Sequence, residues 1–368
     1  MAVKCGDIVS FMEEFAPTSL AEDWDNVGLM VGNREDEIKK LMVCLDVTPE
    51  VVEEAESNNV NMIISHHPFI FKGLKRINSE DLKGRMIMKL IKKGINVYSA
   101  HTNLDVTVRG VNEQLAKVLQ LENLTNLKSY KTERLLKLVV FVPKDSIDVV
   151  REALGKAGAG WIGNYSDCTF CTEGIGTFKP LEGTNPYIGS QGSLEKVEEY
   201  RLETIASERI IGKVISAMKS AHPYEEVAYD LYPLEVTGKE YGLGYVGEID
   251  CATSLNDFAK GVKNKLNTPN VRVIGNLEKE VKKVAVYCGS FGNEIIGAVK
   301  SKADVLVTGD VKYHDALDMS QMGMCVVDAG HFSTERIIVP RLVEILKERF
   351  KELDVLSNNV EKDPFKFI

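Results

Sequence analysis

The stretch KLMVCLDVTPEVVEEAESNNVNMIISHHP, residues 40–68, predicts a strand, a helix and a second strand that ends at two histidines. Residues 40–46 and 61–65 are short apolar runs, which are typical of buried strands. Between them, Thr48 is suited to cap a helix, and Pro49 is suited to its first turn. Two near-continuous apolar strands joined by a helix predict a parallel or mixed sheet covered by helices.

The same alternation of strands and helices fills the first third of the chain and resumes in the last third. This pattern predicts an α/β core. Its other predicted helices are 8–15, 82–93, 111–119, 255–266 and 334–353, and its other predicted strands are 95–100, 271–275, 284–288, 304–308 and 324–328.

The middle third has a different order of elements. Strand 135–142, helix 146–157, a β-hairpin at 166–178, strand 200–206, helix 208–220 and strand 228–234 are predicted there. This order is typical of a ferredoxin-like α+β module. A polar break is expected at 126–133, and the glycine-rich segment 237–247 is expected to be a return linker. We therefore predict that 1–128 and 237–368 are the N-terminal and C-terminal α/β halves of one core, and that 129–236 is an inserted α+β domain.

The composition narrows the class of protein. With 368 residues, 44% of them hydrophobic, the chain can bury a substantial core. A net charge of −9 and a pI near 5.4 argue against nucleic-acid binding through overall charge, although a local basic patch stays open. No signal pattern is visible and no apolar run approaches the roughly 18–20 residues that span a bilayer. We expect a cytoplasmic protein with no membrane association, and seven cysteines in such a chain do not predict a disulfide framework.

Four of the six histidines follow predicted strands in three short segments. His66 and His67 follow the strand at 61–65, and His101 and His331 follow two other strands. Asp105 and Glu335 each come four residues after a histidine, a spacing that places both side chains on one face of a helix. Ligands of open α/β sheets bind beyond the carboxyl ends of the strands, and imidazoles with carboxylates there can hold divalent metals. The sequence therefore predicts a metal site.

The number of these groups indicates more than one ion. The adjacent His66 and His67 point to opposite sides of an extended backbone, so two neighbouring ions could take one each. Pro68 ends the strand and fixes the pair at its tip. Six groups exceed what one tetrahedral ion needs but suit two ions bridged by a carboxylate, with zinc, iron, manganese and cobalt all compatible. The alternative for the adjacent histidines alone is an ordinary polar strand end, and the alternative for each histidine–carboxylate pair alone is a surface hydrogen bond.

Four further features of the sequence have two interpretations each. His314 is a candidate general acid or base near the metals, with a structural polar role as the alternative. His222, with two glutamates nearby, is expected to shape the middle module, and a second metal site is the alternative.

Cys168 and Cys171 form a single CxxC pair, which we interpret as structural because no second pair completes a zinc site. Residues 288–293 could bind a phosphate through backbone amides, but a plain tight turn is an equal alternative.

Several of these segments together resemble one family, the NIF-three-like proteins with a dinuclear metal centre, often labelled GTP cyclohydrolase I type 2 homologues. The segments that carry the resemblance are LAEDWDNVGLMVG at 20–32, SHHPFIF at 65–71, AHTNLD at 100–105, VTGDVKYHDA at 307–316 and DAGHFSTE at 328–335. In the middle third, IGNYS at 162–166 and AHPYEEVAYD at 221–230 are similar to the inserted domain of the longer bacterial members. That insert resembles the PII and CutA proteins in fold.

The resemblance implies a NIF-three-like core of two α/β halves with mixed sheets, interrupted by a PII/CutA-like α+β insert. It also implies homohexameric toroids whose metal sites face an inner cavity. His101 is implied to be either a ligand or a neighbour of the ligands. The residues implied to hold two divalent metal ions per chain are His66, His67, Asp105, His331 and Glu335.

These observations lead to a hydrolase hypothesis and two competitors. The leading hypothesis is a metal-dependent hydrolase of a nucleotide-like or phosphorylated small molecule, GTP cyclohydrolase-like by resemblance only. The alternative is a non-catalytic metal-handling or regulatory ring protein that binds effectors or protein partners. A ring that encircles DNA is a third hypothesis, and the acidic net charge weighs against it.

Overall fold

The computed structural model describes residues 2–368 and divides the chain into two compact units. The core unit comprises the chain up to residue 130 together with residues 241–368, and the central unit comprises residues 131–240. The helices of at least five residues are α1 Cys5–Phe15, α2 Pro49–Ser57, α3 Leu82–Lys93, α4 Thr102–Val106, α5 Val111–Val118, α6 Ile147–Ala157, α7 Ile211–Ala221, α8 Leu255–Lys265, α9 Ile296–Lys302, α10 Tyr313–Gln321, α11 His331–Glu335 and α12 Ile338–Arg349.

The strands complete the secondary structure. They are β1 Gly28–Val31, β2 Lys40–Cys44, β3 Met62–Ser65, β4 Asn96–Ser99, β5 Glu122–Pro143, β6 Thr169–Phe178, β7 Glu195–Ser207, β8 Tyr229–Ser254, β9 Arg272–Ile274, β10 Glu280–Ser290, β11 Val305–Gly309, β12 Cys325–Asp328 and β13 Asp354–Ser357. Over residues 2–368, the helices are too short or too polar for any of them to cross a membrane.

Two mixed sheets organise the core unit. The first has the order β1-β4-β3-β2-β13, in which β13, β2, β3 and β4 are parallel and β1 is antiparallel. In the second, the order β8-β10-β11-β12-β9 has three parallel strands flanked by two antiparallel ones. The predicted α/β class with mixed sheets is confirmed.

Successive side chains of a strand point to opposite faces of its sheet. On one face of each sheet, the buried side chains belong to a single hydrophobic core that both sheets share. In β2, Leu41 and Val43 enter the same buried cluster as Val305 and Val307 of β11. On the other face of the first sheet, Met42 and its neighbours pack on α2 and α3. The shared core therefore holds the two sheets of this unit against each other.

Parallel pairing places the carboxyl ends of several strands at one edge of each sheet. Ser65 of β3 pairs with Cys44 of β2 and Ser99 of β4. In the second sheet, Thr308 of β11 pairs with Asp328 of β12. The residues that follow these strands therefore emerge close to one another.

The helix boundaries in this unit follow their capping signals. The Thr48 hydroxyl accepts the amide of Val51 at the start of α2, as the sequence predicted. The Asp81 carboxylate accepts the amide of Gly84 at the start of α3, and Gly94 ends that helix with φ of 64°. The predicted helix 82–93 is confirmed at both ends.

The central unit has a small sheet and two helices of its own. Its strands have the antiparallel order β6-β7-β5, and α6 and α7 pack against each other. Its core contains Leu138, Val140, Leu154, Leu202 and Val214.

Two predicted irregular segments are regular strands. The predicted break at 126–133 lies within β5, and the predicted linker at 237–247 lies within β8. The glycines that suggested a linker serve close packing: a Cβ at Gly242 would lie 2.5 Å from Asn126 Cγ, and a Cβ at Gly247 would lie 2.7 Å from Leu124 Cδ2.

Two other predictions were wrong in their boundaries. The predicted hairpin at 166–178 is mainly the single strand β6, which pairs instead with β7. The predicted closing helix 334–353 is two helices, α11 and α12, followed by β13. The missed strand β13 is only four residues long but pairs in parallel with β2, so a contact far away in sequence stabilises it.

The shared core predicts a clear difference between two truncations. Leu41→Ala removes a fully buried side chain and should lower the free energy of unfolding by about 2–5 kcal/mol, because it leaves a cavity. Ile91→Ala is the control, since Ile91 is 61% exposed on α3 and its truncation should change stability by less than about 0.5 kcal/mol. Urea unfolding curves measure both, and equal midpoints for the two variants would contradict this account of the core.

Candidate metal centre

The carboxyl edges of the two sheets bring together all six side chains that the sequence nominated as metal ligands. Three overlapping groups form, and the ligand atoms within each group lie within 4.8 Å of one another. The groups are His66 with His67 and His101; His67 with His331 and Glu335; and His66 with Asp105 and Glu335.

Glu335 lies between the histidines and is 3% exposed. Its Oε2 is 2.9 Å from His67 Nε2 and 3.0 Å from His331 Nε2. Its other oxygen, Oε1, is 3.7 Å from His66 Nε2. The two carboxylate oxygens therefore face different imidazoles, which is the arrangement of a carboxylate that can bridge two ions.

The surroundings of His66 are those of a group that could hold a cation. Its Nδ1 is 2.9 Å from the carbonyl oxygen of Ala100, whereas its Nε2 is fully buried and has no hydrogen-bond partner. Buried polar atoms normally have one. Nε2 is 3.6 Å from Asp105 Oδ1 and 3.7 Å from Glu335 Oε1, separations that suit ligands each about 2.0–2.2 Å from a shared zinc-like ion.

In each of the four histidines of the cluster, the Nδ1 nitrogen lies within hydrogen-bonding distance of an oxygen atom. In each case Nδ1 is 2.9 Å from its partner, and such contacts fix the ring orientation and the tautomer of metal-binding histidines. The partners are the Ala100 carbonyl for His66, Asp46 for His67, Asp25 for His101 and Asp310 for His331.

Sequence reasoning missed the three orienting carboxylates, although a signal was present. Asp46 comes two residues after β2, and Asp310 directly follows β11, so each lies at the same sheet edges as the histidines. Asp25 lies in the segment 20–32 and reaches His101 across the fold. A search for acidic residues at strand ends would have found the first two.

Carboxylates control the protonation of the imidazoles. Burial lowers the pKa of His67, but Asp46 and Glu335 outweigh it and raise that pKa to about 10. For His331, Glu335 and Asp310 outweigh burial and raise the pKa to about 9. Burial raises the pKa of Glu335, yet the surrounding imidazoles hold it well below its usual range. The cluster therefore attracts positive charge, and metal binding would displace protons.

Asp105 has a further buried neighbour that the sequence did not nominate. Cys288 donates its thiol to Asp105 Oδ1 over 3.3 Å, and burial raises the pKa of this thiol well above its usual value. The next residue, Gly289, has φ of 66°, and a Cβ there would lie 2.1 Å from Glu335 Oε1. A side chain at this position would displace the central carboxylate.

The suggested anion site at residues 288–293 is not supported. The Gly289 amide donates to Thr334 Oγ1 at 3.0 Å, and the Phe291 amide donates to the Gly309 carbonyl at 2.9 Å. Its first three residues end β10, and with these amides engaged the segment packs against α11 and β11.

His314 lies in the first turn of α10, exposed, with its ring 5.3 Å from that of Tyr313. Within residues 2–368, no hydrogen bond or ion pair joins His314 to the six clustered side chains. Its role as an acid or base stays a prediction.

His222 is a structural residue of the central unit. Its Nε2 is 3.0 Å from the Phe141 carbonyl oxygen, and its Nδ1 accepts the amide of Tyr224. Over the described residues, the metal-type groups all lie in the core unit. All seven cysteines are free, including Cys168 and the exposed Cys171.

The orienting carboxylates predict an effect on metal affinity. Asp310→Asn should weaken Zn²⁺ binding about 10–100-fold, because the His331 ring loses the carboxylate that holds it. Asp318→Asn on the exposed side of α10 is the matched control and should bind as the parent protein does. Competition with a chromogenic chelator measures both, and equal affinities would show that Asp310 does not position His331.

Comparisons with known proteins identify the family to which this chain belongs. The family model described as Duf34/NIF3 (NGG1p interacting factor 3) matches residues 3–364. Relatives named GTP cyclohydrolase 1 type 2 homolog are 45% identical in Halalkalibacterium halodurans and 44% identical in Bacillus subtilis, over 98% of each chain. A Bacillus cereus protein related to NIF3 has a TM-score of 0.89 at 43% identity, covering 100% of both chains. The Staphylococcus aureus protein SA1388 has a TM-score of 0.76 at 34% identity, covering 100% of this chain and 99% of its own. This chain belongs to the Duf34/NIF3 family.

Proposed function

We propose that this protein holds two divalent metal ions and uses them to hydrolyse a nucleotide-like or phosphorylated small molecule. The observation that carries the proposal is the position of Glu335, whose two oxygens face different imidazoles. One ion would take His66, Asp105 and Glu335, and the other would take His67, His331 and Glu335. His101 lies beside His66 and His67 as a further ligand or a close neighbour.

The nature of the ligands limits the metal and its chemistry. Mixed imidazole and carboxylate ligands suit zinc, iron, manganese or cobalt. A pair of such ions, when bound, supplies a water molecule of lowered pKa and stabilises negative charge on the substrate. The chain's contribution is to hold the imidazoles in place through Asp25, Asp46 and Asp310, so that little reorganisation is needed.

A cavity of about 520 Å³ beside the cluster supports a heterocyclic substrate. His67 and His331 form part of its wall, and Phe332, Phe365 and Phe367 line it as well. Aromatic rings offer flat apolar surfaces on which a planar base can stack.

Arg272 is the cation of this cavity that suits a phosphate. Its side chain is 68% exposed and pairs with the buried carboxylate of Asp328. A guanidinium has five donors in a planar fork, so donors remain for a phosphate oxygen. The names of the relatives make GTP the first substrate to test.

A second candidate function is reversible metal handling or regulation without turnover. The side chains of His67 and His331 are 22% and 36% exposed, which gives an ion a route to solvent. Rapid metal exchange with no turnover of any substrate would favour this candidate.

We also propose a homohexamer and a PII/CutA-like inserted domain at 129–236. Exposed apolar rings support self-association: Trp24 and Phe71 are 59% and 45% exposed, with their centroids 6.0 Å apart.

The separate hydrophobic core of the central unit, residues 131–240, supports the proposal of an inserted domain. Nucleic acid is an unfavoured partner because the net charge is −9.

The proposal predicts that metal and activity disappear together. Glu335→Ala should lower the bound metal from about two equivalents per chain and abolish hydrolysis, because both ligand sets contain Glu335. Glu352→Ala, at an exposed site, is the control and should keep both. Elemental analysis and product release from GTP and a panel of phosphoesters measure the two properties. A Glu335→Ala protein with full metal and full turnover would refute the proposal.

His314 gives a second prediction for the proposed reaction. If it carries a proton, His314→Ala should keep the metal and reduce turnover about 10²–10⁴-fold. Lys312→Ala, exposed and two residues away, is the control. Unchanged turnover in His314→Ala at full metal content would exclude His314 from the reaction.

A further inference from the structure

The central unit contains a cavity of about 510 Å³ that the metal chemistry does not use. All of its wall residues lie between Phe141 and Ala228, within that unit. Aromatic side chains and one buried carboxylate dominate the wall: Phe141, Phe178, Tyr187, Tyr224 and Glu199.

Glu199 is 7% exposed and has no cation beside it. Its Oε1 accepts the hydroxyl of Tyr224 at 2.9 Å, and within residues 2–368 it forms no ion pair with lysine or arginine. Removing a carboxylate from water without a positive partner is costly. Glu199 is therefore a buried carboxylate group that a cation beside it would stabilise.

Neighbouring residues leave space for this carboxylate and do not neutralise it. A Cβ at Gly176 would lie 2.0 Å from Glu199 Oε2, so only glycine accommodates the observed position. The nearby His222 uses both ring nitrogens with backbone groups, and burial lowers its pKa, so it stays neutral.

The aromatic wall suits an organic cation. The rings of Phe178 and Tyr187 lie 5.8 and 6.1 Å from that of Tyr224, tilted by 59° and 52°. Ring faces attract ammonium and guanidinium groups within about 6 Å of the centroid. The same faces provide apolar surface for the body of such a ligand.

The charged side chains in the cavity wall also favour a cationic ligand over an anionic one. Glu225 and Glu226 are exposed in the wall, and Lys179 is its single cationic side chain. The Glu225 carboxylate accepts the amide of Asn185 at 3.1 Å, which ties two segments of the wall together. An anionic ligand would meet three carboxylates.

A bare metal ion does not suit this cavity. Its volume of about 510 Å³ is that of a small organic molecule rather than of an ion. Among residues 2–368, the groups that could hold a metal do not include Glu199, Glu225 or Glu226.

We propose that this cavity binds a small organic cation, with an ammonium or guanidinium group against Glu199 and an apolar body against Phe178 and Tyr224. This site is independent of the metal centre and of its proposed reaction. It gives the central unit a ligand-binding function of its own.

The test is isothermal titration calorimetry of the full-length protein with phenethylammonium, tetramethylammonium and spermidine. 2-Phenylethanol and phenylacetate serve as the neutral and anionic counterparts of the first probe. We expect saturable binding of at least one cation, no measurable binding of phenylacetate, and at least tenfold weaker binding to Glu199→Gln. Glu182→Gln, an exposed change outside the wall, should bind as the parent protein does.

A second variant covers the case in which Glu199→Gln does not fold. Tyr187 is 52% exposed, so Tyr187→Ala should fold and bind the cation at least threefold more weakly through loss of one ring. The proposal is overturned if none of the three cations binds at millimolar concentration, if phenylethanol binds as tightly as phenethylammonium, or if folded Glu199→Gln binds the cation like the parent protein. If Glu199→Gln does not fold, binding by Tyr187→Ala that equals the parent's overturns it.

Discussion

The buried carboxylate of Glu335 among imidazoles is the interaction on which the candidate metal centre depends. His66 and His67 come from the edge of the first sheet, and His331 and Glu335 come from the helix that follows β12 of the second. Such a concentration of charge is tolerated only where each group has a partner. The shared hydrophobic core holds the two edges close enough for these partners to meet.

A set of carboxylates around the cluster orients three of its histidines. The carboxylates of Asp25, Asp46 and Asp310 hold three histidines through Nδ1, so their inner nitrogens are left for a metal. Gly289 makes room for the central carboxylate. The unpartnered Nε2 of His66 is the clearest sign that the cluster accommodates something more than protein atoms.

The sequence predicted the parts of this fold whose signals are local. Short apolar runs identified β2 and β3, and the capping signal of Thr48 and Pro49 identified the start of α2. The six clustered side chains were found because each follows a strand or lies one helical turn after such a histidine. These signals lie within short segments of the sequence and do not depend on contacts between residues that are far apart in the chain.

The remaining features depend on contacts between residues far apart in sequence. Asp25 meets His101 across 76 positions, and β13 is stabilised by pairing with β2. Gly242 and Gly247 predict a linker in the local pattern because that pattern does not contain the neighbouring strand, which requires a glycine at both positions. Likewise, no short motif places Glu199 against Gly176 in the central unit.

The central claim is that six side chains form one centre for two ions, and anomalous X-ray diffraction from crystals of the metal-loaded protein tests it most directly. The account predicts two anomalous peaks about 3.5–4 Å apart, one on each side of the Glu335 carboxylate. A single peak, or peaks away from the Nε2 atoms of His66, His67 and His331, would contradict it.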